Sequence, residues 1–270
     1  MTLRGVLREP DRARELAVLV HGLGGAPDSF YCTEGAGLLA QAGVSSLCLG
    51  LRGADRGGDD FYNIALTADL HAAFGSPELA AYERLYLIGY SMGGYVSLHY
   101  ATDPDPRLAG MAALCTPLDL KASQECVDRT RSWPYRHHVL GGLIEIYSHV
   151  AAKRPVPTPL EEVRRVRTIH EWDRLTIAPR YGFDSPEHYY EALSVVPHLG
   201  ALKVPALHVA AHGDPVIPRA TIEPFVPSGG PLELRWVERS GHLTFPRGVL
   251  GDPAAPGIEI ELLNWMRARA

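Results

Sequence analysis

The sequence predicts an α/β fold, in which helices flank a mostly parallel sheet and further helices form an inserted cap. Three observations support this prediction. Short apolar runs alternate with segments of helical period. Most of these runs are apolar throughout, which is typical of parallel strands that are buried on both faces. Hydrophobic residues make up 46% and charged residues 21% of the 270 residues, so the chain can bury a large core.

Six apolar runs predict the strands of the sheet, over residues 16–20, 44–49, 84–88, 108–114, 204–210 and 232–237. Between and after these runs, the periodicity predicts helices over residues 34–42, 66–74, 92–102, 221–226 and 257–269. The chain is short enough for this series to form one unit. We therefore expect a single domain over residues 1–270.

The alternation of strands and helices stops over residues 119–196, which we call the cap segment. Loops of such length are uncommon unless they serve a function, so we expect a helical cap across the carboxyl ends of the strands. We single out Trp172 as a candidate substrate-binding residue; the alternative is that it packs inside the cap. The segment is rich in aromatic residues, which are Trp133, Tyr135, Tyr147, Trp172, Tyr181, Phe183, Tyr189 and Tyr190.

Composition argues against several classes of protein. The 26 Lys and Arg residues are outnumbered by 31 Asp and Glu residues, and a net charge of −5 does not suit a dedicated nucleic-acid binder. The first residues lack the apolar core of a signal peptide, and no run approaches the roughly 18 apolar residues of a membrane span. The four cysteines form no CxxC pair, so we expect neither a zinc site nor a disulfide framework. We expect a cytoplasmic protein.

The sequence Gly89-Tyr90-Ser91-Met92-Gly93 matches the pattern of a nucleophile elbow. It follows the third predicted strand and opens a predicted helix, which is the context that this pattern requires. Small residues allow the tight turn, and the strained turn lifts the serine hydroxyl clear of the sheet. The alternative is a glycine-rich turn with an incidental serine. We predict that Ser91 is a catalytic nucleophile with an exposed hydroxyl.

A second glycine-rich loop, residues 21–25 with the sequence HGLGG, follows the first predicted strand. Backbone N–H groups in such a loop can stabilise the oxyanion that forms when a nucleophile attacks a carbonyl group. We expect the oxyanion hole to consist of the amides of Leu23 and Met92. A phosphate-binding loop is the competing interpretation, but the lysine and hydroxyl residue that it needs are missing. His21 is expected to form structural hydrogen bonds.

A serine hydroxyl needs a base within hydrogen-bonding reach and a carboxylate to orient that base. Asp214 follows the fifth predicted strand and His242 follows the sixth, so both are expected at the carboxyl edge of the sheet. Among the twelve histidines, His212 is the closest competitor for the role of base. Asp119 is the alternative acid, although it also suits the N-cap of a helix. We predict a triad of Ser91, His242 and Asp214.

Taken together, the motifs HGLGG, GYSMGG, HGDPVIP and SGH resemble those of α/β-hydrolases, and more narrowly those of YheT-like carboxylesterases. The resemblance implies the same triad, an α/β-hydrolase sheet and no cofactor. The segment before residue 16 is shorter than is usual in that family and leaves room for one leading strand. The narrower match involves residues 21–25, 29, 31, 51–53, 171–179, 181–183 and 189–190.

We therefore predict a serine hydrolase that cleaves carboxylic esters, with a small-molecule or lipid-like ester as its substrate. An acyltransferase or thioesterase with the same triad is the first alternative, and a non-catalytic ligand-binding module is the second. Glu145 and His149 share a helix face, but they lack a third ligand, so no metal site is expected. No nucleic-acid partner is expected, and the sequence does not predict an oligomeric state.

Overall fold

A seven-stranded sheet with the order β1-β3-β2-β4-β5-β6-β7 forms the centre of the computed structural model, which describes residues 3–10, 13–226 and 228–270. All pairs from β2 to β7 are parallel, and β1 pairs antiparallel with β3. The prediction of a mostly parallel sheet is confirmed. The strands are β1 (Arg4–Arg8), β2 (Glu15–Val20), β3 (Ser45–Gly50), β4 (Arg84–Tyr90), β5 (Leu108–Leu114), β6 (Ala206–Ala211) and β7 (Leu232–Val237).

The central strands are buried on both faces, which explains why their sequences are apolar without alternation. In β2, Leu16, Val18 and Val20 belong to one hydrophobic cluster, whereas Ala17 and Leu19 belong to another on the opposite face. Helices cover both faces: α1 (Phe30–Gln41) and α10 (Ile258–Arg267) lie on one side, with α2 (Ala68–Phe74) and α3 (Met92–Tyr100) on the other. The four cysteines are buried as free thiols.

One predicted helix is wrong. Residues 221–226 do not form an α-helix but belong to two short 3₁₀ turns, Arg219–Thr221 and Glu223–Phe225. The backbone breaks at Ile222, at φ −125° and ψ −62°, and a segment of this length closes too few i→i−4 hydrogen bonds to offset the cost of starting a helix. Helix α1 also begins at Phe30, four residues before its predicted start.

The long connection between β5 and β6 contains the whole cap segment and is mostly helical. A π-helical turn, Asp173–Ile177, joins two of its helices. The domain limits 1–270 and the cap limits 119–196 remain predictions. The helices are α4 (Leu120–Asp128), α5 (Trp133–Ala151), α6 (Leu160–Val163), α7 (Ile169–Trp172), α8 (Ala178–Tyr181) and α9 (Pro186–Ala192). No helix within the described ranges is long and apolar enough to cross a membrane.

The parallel strands bring several loops to one edge of the sheet. Because β2, β4, β6 and β7 point the same way, the residues that follow each of them meet at the carboxyl edge. These are the positions of the loop 21–25, Ser91, Asp214 and His242. The topology thus assembles, at one edge, residues that are far apart in the chain.

Candidate active site

Ser91 occupies a sharp turn between β4 and α3. Its backbone lies at φ 53° and ψ −119°, a conformation that is costly for a residue with a side chain. Two hydrogen bonds stabilise this conformation. The Ser91 amide donates to the Leu114 carbonyl at 2.7 Å, and the Thr116 hydroxyl donates to the Ser91 carbonyl at 2.8 Å. Gly93 permits the close approach of α3, since a Cβ there would lie 2.2 Å from the Val20 carbonyl oxygen.

The expectation that the Ser91 hydroxyl is exposed is wrong. Ser91 is only 5% exposed and faces an internal cavity instead of open solvent. The physical reason is that helices α4 and α5 cover the turn and contribute part of the cavity lining. A reacting molecule must therefore enter this cavity to reach Ser91.

Asp214 and His242 form a tight pair at the same edge of the sheet. The distance from His242 Nδ1 to Asp214 Oδ2 is 2.7 Å. The other carboxylate oxygen of Asp214 accepts hydrogen bonds from the amides of Val216 and Ile217, both at 2.9 Å. These contacts fix the carboxylate, and because Nδ1 faces Asp214, Nε2 is the ring nitrogen that remains for another partner.

The alternative base, His212, and the alternative acid, Asp119, each contact other groups. His212 Nε2 is 3.2 Å from the Glu238 carboxylate, and its ring packs beside Trp236. Asp119 is the N-cap of α4, where its side chain accepts a hydrogen bond from the Ala122 amide at 2.9 Å. The structure therefore brings His242 to Asp214, and it gives Asp119 a structural contact of its own.

The loop 21–25 presents backbone amides beside Ser91. The amides of Gly22 and Gly24 already donate to the hydroxyls of Tyr31 and Tyr62, at 3.0 Å and 2.8 Å. The amides of Leu23 and Met92, by contrast, donate to no acceptor within the described ranges, and both residues line the cavity that contains Ser91. An amide without an internal partner can donate to an oxygen of a bound molecule.

His21, at the start of this loop, forms structural hydrogen bonds with the backbone. Its Nδ1 lies 2.8 Å from the Gly22 carbonyl oxygen, and its Nε2 accepts from the Leu51 amide at 3.3 Å. Burial lowers the pKa of His21 to about 4, so the ring is neutral near physiological pH.

Sequence reasoning did not single out Tyr135, which projects from α5 into the site. Its hydroxyl is 3.4 Å from His242 Nε2 and also lies beside the Ser91 side chain. The two rings meet edge to face, with centroids 5.3 Å apart. Helix α5 comes this close because Gly142 has no side chain: a Cβ there would lie 2.1 Å from the Gly24 carbonyl oxygen. Only its membership of the aromatic-rich cap segment hinted at such a role.

The cavity beside Ser91 is a mostly apolar slot. Its empty volume is about 780 Å³, and this figure includes the mouth of the cavity, which is open to solvent. Trp172 is one of its walls and is 2% exposed, but it also packs edge to face against Tyr147, with ring centroids 5.8 Å apart. The apolar lining includes Leu23, Ile64, Met92, Leu120, Val127, Val139, Leu143, Ile169, Ile177 and Ile217.

One group of side chains in the site has the composition of a metal site. Ligand atoms of Cys115, Asp214 and His242 lie within 4.8 Å of one another. Burial, reinforced by the Asp214 charge, raises the pKa of the Cys115 thiol, whereas metals bind the thiolate. Glu145, which shares a helix face with His149, pairs with Arg56 at 2.8 Å. A protonated Cys115 thiol is a poor metal ligand, and the Glu145 carboxylate is already paired.

Comparison with known proteins agrees with this architecture. A family model described as "alpha/beta hydrolase fold" matches residues 17–136. The chain is 26% identical, over 263 residues, to the putative esterase YheT of Escherichia coli, and the match covers 92% of this chain and 75% of that protein. It is 22% identical to the medium-chain fatty acid ethyl ester synthase/esterase 2 of Saccharomyces cerevisiae, over 78% of this chain and 53% of that protein.

Similar solved structures show the fold. The crystal structure of VinJ superposes with a TM-score of 0.60 at 17% identity, covering 100% of this chain and 99% of VinJ. The chain thus spans three quarters of the bacterial relative and about half of the yeast relative. The sheet order, the turn at Ser91 and these similarities lead to one conclusion. The chain has the α/β-hydrolase fold.

Proposed function

We propose that this protein is a serine esterase, which hydrolyses carboxylic esters through an acyl-enzyme on Ser91. The observation that carries the proposal is the 2.7 Å contact between His242 and Asp214, at the sheet edge where Ser91 sits on its strained turn. The name of the bacterial relative, a putative esterase, supports the same reaction. The mostly apolar slot suits the hydrocarbon part of an ester.

In the proposed mechanism, Ser91 Oγ attacks the ester carbonyl and His242 Nε2 takes the proton of the hydroxyl. Asp214 holds the ring through Nδ1 and stabilises the imidazolium. The amides of Leu23 and Met92 donate to the oxygen on which negative charge develops. His242 then returns the proton to the departing alcohol, and water attacks the acyl-enzyme by the same route.

A serine-reactive fluorophosphonate tests the proposal directly. We expect one adduct per chain, located on Ser91 by peptide mass spectrometry, and we expect hydrolysis of p-nitrophenyl esters to fall in proportion to labelling. The four buried cysteines should stay unmodified. A folded protein that takes no label, or that is labelled at another residue, would contradict the proposal.

The Tyr135 hydroxyl competes for the hydrogen bond that Ser91 and His242 would form in the proposed mechanism. Within the described ranges, no hydrogen bond joins Ser91 to His242, and the Tyr135 hydroxyl occupies the neighbourhood of both side chains. We expect Tyr135→Phe to raise the rate of acylation about two- to tenfold, since one competing hydrogen bond is worth about 0.5–1.5 kcal/mol. Stopped-flow measurement of the p-nitrophenol burst checks this rate.

The matched control for this test is Tyr82→Phe. Tyr82 precedes β4, at the opposite end of the sheet, and its hydroxyl donates to Glu9. We expect this variant to acylate at the rate of the unmodified protein. A loss of tenfold or more in Tyr135→Phe would instead mean that the hydroxyl takes part in the reaction.

Trp172→Ala should alter both substrate preference and stability. Removing this wall enlarges the slot, so the optimum of kcat/KM should move toward bulkier acyl chains, with each added methylene worth about 1–3 kcal/mol. Because the ring also packs on Tyr147, the free energy of unfolding should fall by about 3–5 kcal/mol. A chain-length series and denaturant unfolding measure the two effects. Trp236→Ala, which removes an indole outside the slot, is the control for preference.

A second activity, acyl transfer to an alcohol, is favoured by the yeast relative, whose name includes both a synthase and an esterase. The same acyl-enzyme would react with an alcohol in place of water. Hydrolysis in the presence of increasing ethanol separates the two activities: an ethyl ester product that grows faster than the ethanol fraction predicts would establish transfer.

A further inference from the structure

The slot beside Ser91 is not apolar over its whole length. Three polar side chains from three elements of the cap segment, Ser123, Asp173 and Tyr190, line it together with the apolar residues. We propose that these three residues form a polar subsite, which binds a hydroxyl group carried on the acyl chain of the substrate. This inference rests on the proposed esterase function and names its substrate class: esters of hydroxylated aliphatic acids.

Ser123 supplies a hydroxyl that lacks an internal partner. It lies on α4, is only 4% exposed and lines the slot. Its Oγ makes no hydrogen bond within the described ranges. Burying a hydroxyl without a partner costs free energy, and most buried polar groups in proteins are satisfied. A polar group of a bound molecule would satisfy it.

Asp173 places a carboxyl group in the same slot. It is 7% exposed, accepts a hydrogen bond of 2.5 Å from the Tyr190 hydroxyl and makes no ion pair within the described ranges. It begins the π-helical turn 173–177, a rare conformation that often marks functional sites. Pure hydrocarbon recognition gains nothing from a buried carboxyl group, because desolvating it is unfavourable.

The three side chains converge although they lie on separate elements. Helix α4 packs against α7 and α9, and α9 packs against the π-helical turn. All three side chains line the slot, and the Tyr190 hydroxyl contacts Asp173 directly. Apolar side chains such as Leu143, Ile169 and Ile177 contribute to the rest of the lining, and these would contact the hydrocarbon part of the acyl chain.

A hydroxyl group fits this subsite better than a charged group. Burial raises the pKa of Asp173 to about 7, against the opposing hydrogen bond from Tyr190, so the carboxyl group carries no full charge at neutral pH. It is a weak counter-ion for a desolvated ammonium group, and its partial negative charge would repel a ligand carboxylate. A hydroxyl group can donate to Asp173 and accept from Ser123 at the same time.

The test compares p-nitrophenyl esters of unbranched acids with matched esters that carry one hydroxyl group at successive chain positions. We expect one position to raise kcat/KM about tenfold over the unsubstituted ester, as for one or two satisfied hydrogen bonds. Ser123→Ala and Asp173→Asn should each reduce that preference ratio severalfold. The control is Ser46→Ala, which removes another buried, unpartnered hydroxyl from β3, outside the slot, and should leave the ratio unchanged.

Equal or lower kcat/KM for every hydroxylated ester would overturn the proposal. So would a preference that survives both slot variants as fully as it survives Ser46→Ala. Failure of the esterase function itself would look different, because no ester would then be hydrolysed. In that case, calorimetry on Ser91→Ala measures the Kd of ketones with the same chains: tighter binding of the hydroxylated ketone supports the subsite, and equal or weaker binding refutes it.

Discussion

Ser91→Ala should lose essentially all ester hydrolysis, with kcat falling about 10⁶-fold, as when the nucleophile of another serine hydrolase is removed. The proposed acyl-enzyme forms on the Ser91 hydroxyl, and alanine offers no atom to carry the acyl group. The fold should survive, because the contacts that hold the turn use only the backbone of Ser91. Its amide donates to the Leu114 carbonyl, and its carbonyl accepts from the Thr116 hydroxyl. Steady-state kinetics and the melting temperature together check this expectation.

Ser97→Ala is the matched control for the nucleophile. Ser97 is a second buried serine on α3, and its hydroxyl donates to the Gly93 carbonyl at 2.7 Å. It does not line the slot. We expect this variant to be labelled by the fluorophosphonate and to hydrolyse esters, whereas Ser91→Ala does neither. Undiminished turnover by purified Ser91→Ala would remove Ser91 from the mechanism.

Asp214→Asn should lower kcat by about 10⁴-fold, the size of loss that the same change causes in other triads. The Asn amide group has nearly the same shape, and its oxygen can still accept from Val216 and Ile217. Its NH₂ group would then face His242 Nδ1 as a donor, which places the proton on Nε2. A ring protonated there cannot take the proton of Ser91. Kinetics with an activated ester measure the loss.

Asp119→Asn is the corresponding control at the competing acid. Asn caps helices about as well as Asp, so the hydrogen bond to the Ala122 amide should persist. We expect kcat within about twofold of the unmodified protein, since nothing in this contact reaches His242. Equal losses in the two variants, or a larger loss at Asp119, would assign the orienting acid to Asp119 and reject the proposed triad.

The strands could be predicted because strands that are buried on both faces have a distinctive, wholly apolar composition. A parallel strand covered on both faces must be apolar throughout, and each predicted run matches an observed strand to within two residues at either end. The helix limits were less predictable. The failure over residues 221–226 shows why: an apolar helical period is present, but the backbone breaks at Ile222 and so short a segment forms only 3₁₀ turns.

Residues of the candidate site were predictable where a local motif follows a strand. Ser91 follows β4, and Asp214 and His242 follow β6 and β7, so a parallel topology alone brings them to one edge. Tyr135 is different. It lies within a long helix and meets His242 only because Gly142 lets α5 pack onto the loop 21–25. No local pattern around Tyr135 encodes that contact.

By itself, the sequence determined the α/β architecture, the tight turn at Ser91 and the strand ends that carry Asp214 and His242. These features depend on apolar runs, glycines and chain order, which act over a few residues at a time. Only the tertiary structure decided the burial of Ser91 and the convergence of Ser123, Asp173 and Tyr190 on one slot. The reason is that helices of the cap segment pack through contacts between distant residues, and a cavity is defined by the side chains from all of them at once.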